Sequence, residues 1–169
     1  LESEPAVKIL EIAAYRELLL RARINDAARA VLLATATGAD LDHLAALFGV
    51  ARFTLDPGDP EAAPPVAATL ETDDDLRRRT QLALEGFSTA GPVGAYIFHA
   101  FSASGLVRDV AVGSPEPGQV LVTILSAEAP GTASPALLAA VEAALGAEDV
   151  RPLCDTVVVQ SATILAYSI

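Results

Sequence analysis

The sequence predicts an α+β fold. An N-terminal helical block spans 1–50, and an α+β domain over 72–169 carries a small β-sheet in the order helix, helix, hairpin, helix, strand. Three observations predict it. Apolar residues recur at spacings of three and four through the first third of the chain. A stretch at 56–65 with four prolines and three acids breaks that pattern, so 51–71 reads as a Pro/Asp-rich linker or an exposed loop. After Gly105 the apolar period changes to two.

The first helix starts at Pro5, whose missing N–H costs nothing at a first helical position. Val7, Leu10, Ala14 and Leu18 recur at helical spacing, and Ile9, Ile12 and Leu19 widen the apolar stripe. Asn25-Asp26 offers a cap or a tight joint. A second helix would then carry Ala27, Ala28, Val31, Leu32 and Thr35, closed by Gly38 in a left-handed conformation. Asp40 caps a short third helix with Leu41, Leu44, Ala45 and Phe48 inside and Gly49 at its end.

The second block opens at Thr72, which with Asp75 resembles a capping box with Asp in the place of the usual Glu. Leu76, Ala83, Leu84 and Phe87 form the predicted buried stripe of that helix. Ser88-Thr89-Ala90-Gly91-Pro92 interrupts it, and Val93, Tyr96, Ile97, Ala100 and Phe101 fit an amphipathic helix. Leu106 to Val112 reads as a strand and Ser114-Pro115-Glu116-Pro117-Gly118 as a turn. In the next strand Val120, Val122 and Ile124 alternate with Leu121, Thr123 and Leu125. Ser134-Pro135 starts a helix with the stripe Leu138, Val141 and Leu145, closed by Gly146. Thr156 to Ala162 forms the last strand, continuing toward Ile169.

Composition narrows the function. The 169 residues are 52% hydrophobic and 20% charged, so the chain can bury a real core and is not a disordered tail. A net charge of −11 repels phosphate, so neither a nucleic acid nor an anionic membrane is the expected partner. The one basic run, Arg77-Arg78-Arg79, follows Asp73-Asp74-Asp75 and reads as a solvated, self-neutralising helix start. No apolar run approaches the roughly 20 residues of a membrane span. The chain contains no methionine and stops within a predicted strand, so it reads as a piece of a longer protein, with its second domain cut short at the C-terminal end.

Chemistry-bearing residues are few. His43 and His99 sit in different blocks, and neither has a second ligand at i+4. Cys154, the single cysteine, excludes an internal disulfide and reads as inert packing. The acids 73–75 lack the alternation of a calcium loop and suit a helix N-terminus. Gly91-Pro92-Val93-Gly94 lacks the Lys-Ser/Thr of a phosphate-binding loop, and Ser88 and Ser114 have no partner base. The sequence therefore predicts no catalytic, cofactor-binding or metal-binding residue, no cofactor and no enzyme activity. Work through surfaces is the expectation.

The order of segments resembles the baseplate J-like family of contractile phage tails. The stretches that carry it are Glu11-Ile12-Ala13-Ala14-Tyr15-Arg16-Glu17-Leu18 running into Arg23-Ile24-Asn25-Asp26-Ala27-Ala28, Thr37 to Ala45, and Leu47 to Arg52. Asp73 to Arg79, Phe87 to Pro92 with Tyr96, the turn at 114–118 and Val150-Arg151-Pro152-Leu153 extend it. Cys154 stands where the family resemblance would lead one to expect Thr. The resemblance implies a structural subunit of the baseplate wedge, in a phage, prophage or tail-derived particle. It implies partners among other wedge proteins and neighbouring copies, an oligomeric state in the assembled particle, a place in the virion tail baseplate and synthesis in the bacterial cytoplasm. Thr37-Gly38-Ala39-Asp40 then has a role in the fold and none in binding. The alternatives are a small-ligand-binding regulatory domain, which also uses a hairpin-helix-strand unit, and an enzyme fragment whose active residues lie outside the piece.

Overall fold

A computed structural model describes residues 4–87 and 91–165. It is an α+β structure whose chain forms two compact units, Leu1–Leu44 and Ala45–Ile169.

The first unit is built on α1, Pro5–Ala30, a helix of 26 residues with Pro5 in its first turn. The expected joint at Asn25-Asp26 does not form. Asn and Asp cost only about half a kcal/mol each inside a helix, and Ala27, Ala28 and Ala30 beyond them are the best helix formers. The helix ends instead at Val31, where the Thr35 hydroxyl donates to the Arg29 carbonyl at 2.8 Å. Gly38 does take a positive φ, +53°, but it opens the next helix rather than closing one. That helix, α2, spans Gly38–Ala46 with Asp40 in its first turn, where its charge suits the dipole. Leu41 is buried.

The C-terminal end of α2 closes in a Schellman arrangement. The Gly49 N–H donates to the Ala46 carbonyl at 3.1 Å and the Val50 N–H to the Ala45 carbonyl at 3.1 Å. Gly49 has φ +72°, and Val50 and Ala45 are both buried beside it. Phe48, expected inside, lies in the cap and is partly exposed.

The segment 51–71 is more ordered than a linker. It is largely exposed, but β1 (Thr54–Asp56) pairs antiparallel with β2 (Thr69–Leu70). Asp59 and Val66 exchange backbone hydrogen bonds of 3.0 and 2.8 Å further out. Prolines and acids hid this pairing, because the strands are short and carry no alternation.

Thr72 caps α3 (Asp73–Leu82): its hydroxyl accepts from the Asp75 N–H at 3.2 Å and donates to the Asp75 carboxylate at 2.6 Å. Leu76 and Ala83 are buried as expected. Leu84 and Phe87 are exposed, because α3 stops at Leu82 and a 3₁₀ turn at Glu85–Phe87 rotates them away. Of the expected interruption at 88–92, residues 88–90 lie outside the described residues.

The core of the second unit lies between a three-stranded sheet and two helices, α4 (Val93–Ala103) and α5 (Pro135–Leu145). Strands β3 (Val107–Gly113) and β4 (Gln119–Ser126) form the hairpin, and β5 (Thr156–Ser161) lies parallel to β4. The strand order is β3-β4-β5, so α5 is the crossover of a β-α-β unit. Tyr96, Ala100 and Phe101 of α4 meet Val110, Val122, Ile124, Leu137, Val141 and Leu145 in one buried cluster. Leu137 takes the deeply buried place expected of Leu138, which packs at the margin. Ser134 caps α5, its hydroxyl accepting from the Leu137 N–H at 3.3 Å. The last strand ends at Ser161; residues 166–169 lie outside the described residues.

Candidate interaction surface

The surface that stands out is α1. Not one of its 26 residues is buried. Leu10, Leu20 and Ile24 are 69%, 62% and 67% exposed, and Ile9, Ile12, Tyr15, Leu18 and Leu19 are comparable. Placed at 100° per residue, these side chains fall on every side of the helix, with no wide polar face between them. Exposed single apolar residues are ordinary, but a continuous run of this size marks an interaction surface. The stripe read from Val7, Leu10, Ala14 and Leu18 is therefore present at the expected spacing and lies open rather than packed within its own unit. A lone helix is held by its own hydrogen bonds, by Lys8–Glu11 at 2.9 Å and by the Arg21–Glu17 pair four residues apart. Such exposed pairs contribute only a few tenths of a kcal/mol each.

In the second unit the charged residues do structural work that the sequence reading missed. Arg79 and Glu71 are nearly fully buried and form a two-pronged ion pair, Nε to Oε1 at 2.7 Å and Nη2 to Oε2 at 2.6 Å. The same guanidinium donates to the Ala51 carbonyl at 2.6 Å and lies 4.1 Å from the ring centre of Phe53. Arg52 donates to the Glu71 carbonyl and to Asp73, each at 2.7 Å. The basic run is thus not a uniformly solvated start. Arg77 pairs with Asp74 at 2.6 Å, but Arg78 reaches Asp109 at 2.8 Å and stacks over Phe101, and Arg79 is core. Helical spacing gives three successive arginines three different directions, a signal the charge count alone conceals.

The other singled-out residues do not converge. His43 is exposed on α2. His99 sits on α4 edge-on to Phe98, and burial lowers its pKa while the charge of Asp149 partly opposes that. Tyr96 donates to Asp155 at 2.8 Å; burial, then that bond and charge, raise its pKa well above the ordinary tyrosine range. Cys154 is free and exposed, so it is not packing. The hydroxyl of Ser114 donates to the Glu116 carbonyl within the hairpin turn. Ser88 lies outside the described residues. Among the described residues no group of three or more His, Cys, Asp or Glu could hold a metal ion, and no helix is long and apolar enough to cross a membrane.

The mainly apolar cavity beside Tyr96, Val93, Val112 and Val120 is too small for a typical ligand: it holds about 110 Å³, below the roughly 300 Å³ at which ligand pockets begin. A larger cleft of about 560 Å³ is lined by exposed Gly146, Glu148, Arg151 and Leu153.

Comparison with known proteins places these features in a family. Residues 2–59 match the Baseplate J-like N-terminal domain and residues 88–161 the Baseplate J-like central domain. The whole chain, 169 residues, is 53% identical to Baseplate protein J of Escherichia phage P2 and covers 56% of that relative's length. The chain therefore spans little more than half of this relative.

Proposed function

Because the chain belongs to the baseplate J-like family, we propose that it is a structural subunit of the baseplate wedge of a contractile phage tail or tail-derived particle. It acts in baseplate assembly through protein–protein contacts, with no catalytic step, cofactor or metal. Its partners are other wedge proteins and neighbouring copies of itself, and it takes no nucleic acid and no membrane. It is made in the host cytoplasm and resides in the tail baseplate.

The single observation that carries this reading is α1, a 26-residue helix rich in apolar side chains with none of them buried. Leaving eight large apolar side chains in water forgoes burial that stabilises by about 1.5–3 kcal/mol per residue. A helix that spreads this much apolar surface among its charges finds burial for it only against another element or chain. The helical block supplies that assembly surface, and the α+β domain is the more independently stable module with its own core.

The test is genetic and visual. Deleting the full-length gene in the producing bacterium, inducing, and imaging the lysate by negative-stain electron microscopy should show loss of assembled tails, restored by the gene in trans. Normal contractile tails with intact baseplates in the deletion strain would sink the reading.

A further inference from the structure

The three-stranded sheet has two edges, β3 and β5, and their chemistry differs. On β3 the Arg108 carbonyl accepts from the Arg78 guanidinium at 3.3 Å, Arg78 also pairs with Asp109 at 2.8 Å, and the register shifts between Val107 and Asp109. Charge on an edge and a break in its register both discourage a further strand. β5 has neither. Thr156-Val157-Val158-Val159-Gln160-Ser161 carries no charge, proline or glycine, and it pairs with β4 without a register shift. The Thr156 N–H donates to the Gly118 carbonyl at 2.7 Å and the Ala162 N–H to the Ile124 carbonyl at 2.8 Å. The even-numbered residues therefore face β4, and Val157 and Val159 turn their N–H and C=O groups outward. Their side chains pack at the margin of the core and stay partly exposed. Among the described residues no strand lies beyond them.

We propose that β5 takes an extended strand from a different protein of the assembly as a fourth, antiparallel member of the sheet. The open backbone groups fix an extended partner, and antiparallel pairing is the more stable per residue. The partly exposed Val157 and Val159 call for apolar side chains beside them, so the partner alternates β-branched apolar residues with Thr or Ser. Charge decides against a second copy of this chain. Asp155, at the entrance of β5, is followed by no charged residue through Leu165. Tyr96 holds its Oδ2 at 2.8 Å, which leaves Oδ1 for a cation. Two copies of β5 in parallel would set Asp155 on Asp155; in antiparallel each Asp155 would meet the uncharged stretch after Gln160. A partner strand ending in Lys or Arg beside Asp155 meets it with opposite charge. The chain itself turns away after β5: Ala162 still bonds to β4, and the Ile164 side chain runs beside Gly131.

This pairing rests on the reading of the chain as an assembly subunit, yet the two fail separately. The probe is the acetylated and amidated peptide Thr-Val-Thr-Val-Thr-Lys, titrated into the full 169-residue chain and followed by amide NMR. Shifts and slowed exchange should concentrate at Val157 and Val159. N-methylating the peptide at one set of alternate residues should weaken binding roughly tenfold, and at the other set leave it unchanged, because only one set turns its N–H groups to β5. Glu in place of the terminal Lys should weaken it about threefold. Val159→Pro removes one outward N–H, a change an edge strand tolerates, and should cut binding while the amides of β4 stay protected. Should that variant unfold, the two N-methylated peptides still decide. Equal binding by both of them, shifts away from β5, or no binding at millimolar peptide would overturn the proposal. So would a dimer of the chain that Val159→Pro abolishes. Any of these results leaves the baseplate reading to the deletion experiment.

Discussion

Glu71 and Arg79 hold each other by two parallel hydrogen bonds at 2.7 and 2.6 Å, with almost no water on either. The pair ties the β1–β2 arm to α3, because the same guanidinium also takes the Ala51 carbonyl. A buried ion pair gains little over an apolar pair but is costly to break. Arg79→Met should therefore destabilise by about 3–5 kcal/mol in urea unfolding, and Arg79→Met with Glu71→Leu should recover most of that loss. Equal losses in the single and double variants would refute the assignment.

Tyr96 and Asp155 join α4 to the entrance of β5. Tyr96→Phe removes one hydrogen bond to a carboxylate and keeps the ring in the core. A loss of about 1–2 kcal/mol is expected, read as a shift of the urea midpoint without a change of slope.

The two units should answer core substitutions differently. Leu76, fully buried on α3, should cost about 2–5 kcal/mol as Leu76→Ala. Leu20 on α1 is of the same type and 62% exposed, so Leu20→Ala should change the stability of the isolated chain by under about 0.5 kcal/mol. A large loss at Leu20 in a monomeric sample would mean that α1 is enclosed within one chain.

Gly58 has φ +69°, and a Cβ there would stand 2.4 Å from the Val66 carbonyl oxygen. Backbone cannot yield as a side chain tip does. Gly58→Ala should therefore raise amide exchange at Asp59 and Val66, leaving the amides of β4 and β5 protected.

His99 gives a pH dependence of definite sign. Burial lowers its folded pKa below the ordinary 6.5, so the unfolded chain binds the proton first. Its contribution to stability is present above pH 6.5 and is lost as pH falls from there through the folded value. His99→Gln should flatten that part of a thermal-stability profile; an unchanged slope would show that His99 contributes nothing to it.

The sequence reading and the structure agree where chemistry is local. Thr72, Ser134, Gly49 and Pro5 act at helix ends as their side chains and backbone freedom require, and β4 and β5 follow their period-two alternation, which a register shift between Val107 and Asp109 breaks at the start of β3. What escaped it depends on contacts distant in sequence. Arg79 belongs to the core only because Glu71 and Ala51 are brought around it, and no spacing rule announces a partner 28 residues away. Helix α1 was legible in its spacing and not in its length, because Asn25-Asp26 lies inside it rather than at a joint. Its apolar pattern was legible, but whether a stripe is buried within its own chain or reserved for another is not written in periodicity.

The order β3-β4-β5 sets how this unit assembles in time. The β3–β4 hairpin closes over a short turn, whereas Thr123 meets Gln160 across 37 residues and only by way of α5. Closing the larger loop costs more chain entropy before any contact returns it. The hairpin is therefore the template, and β5 is a late arrival that docks onto a finished edge. A chain that stops after β4 carries the strand that sets the register of β5, but not the α5 crossover needed to bring β5 to it.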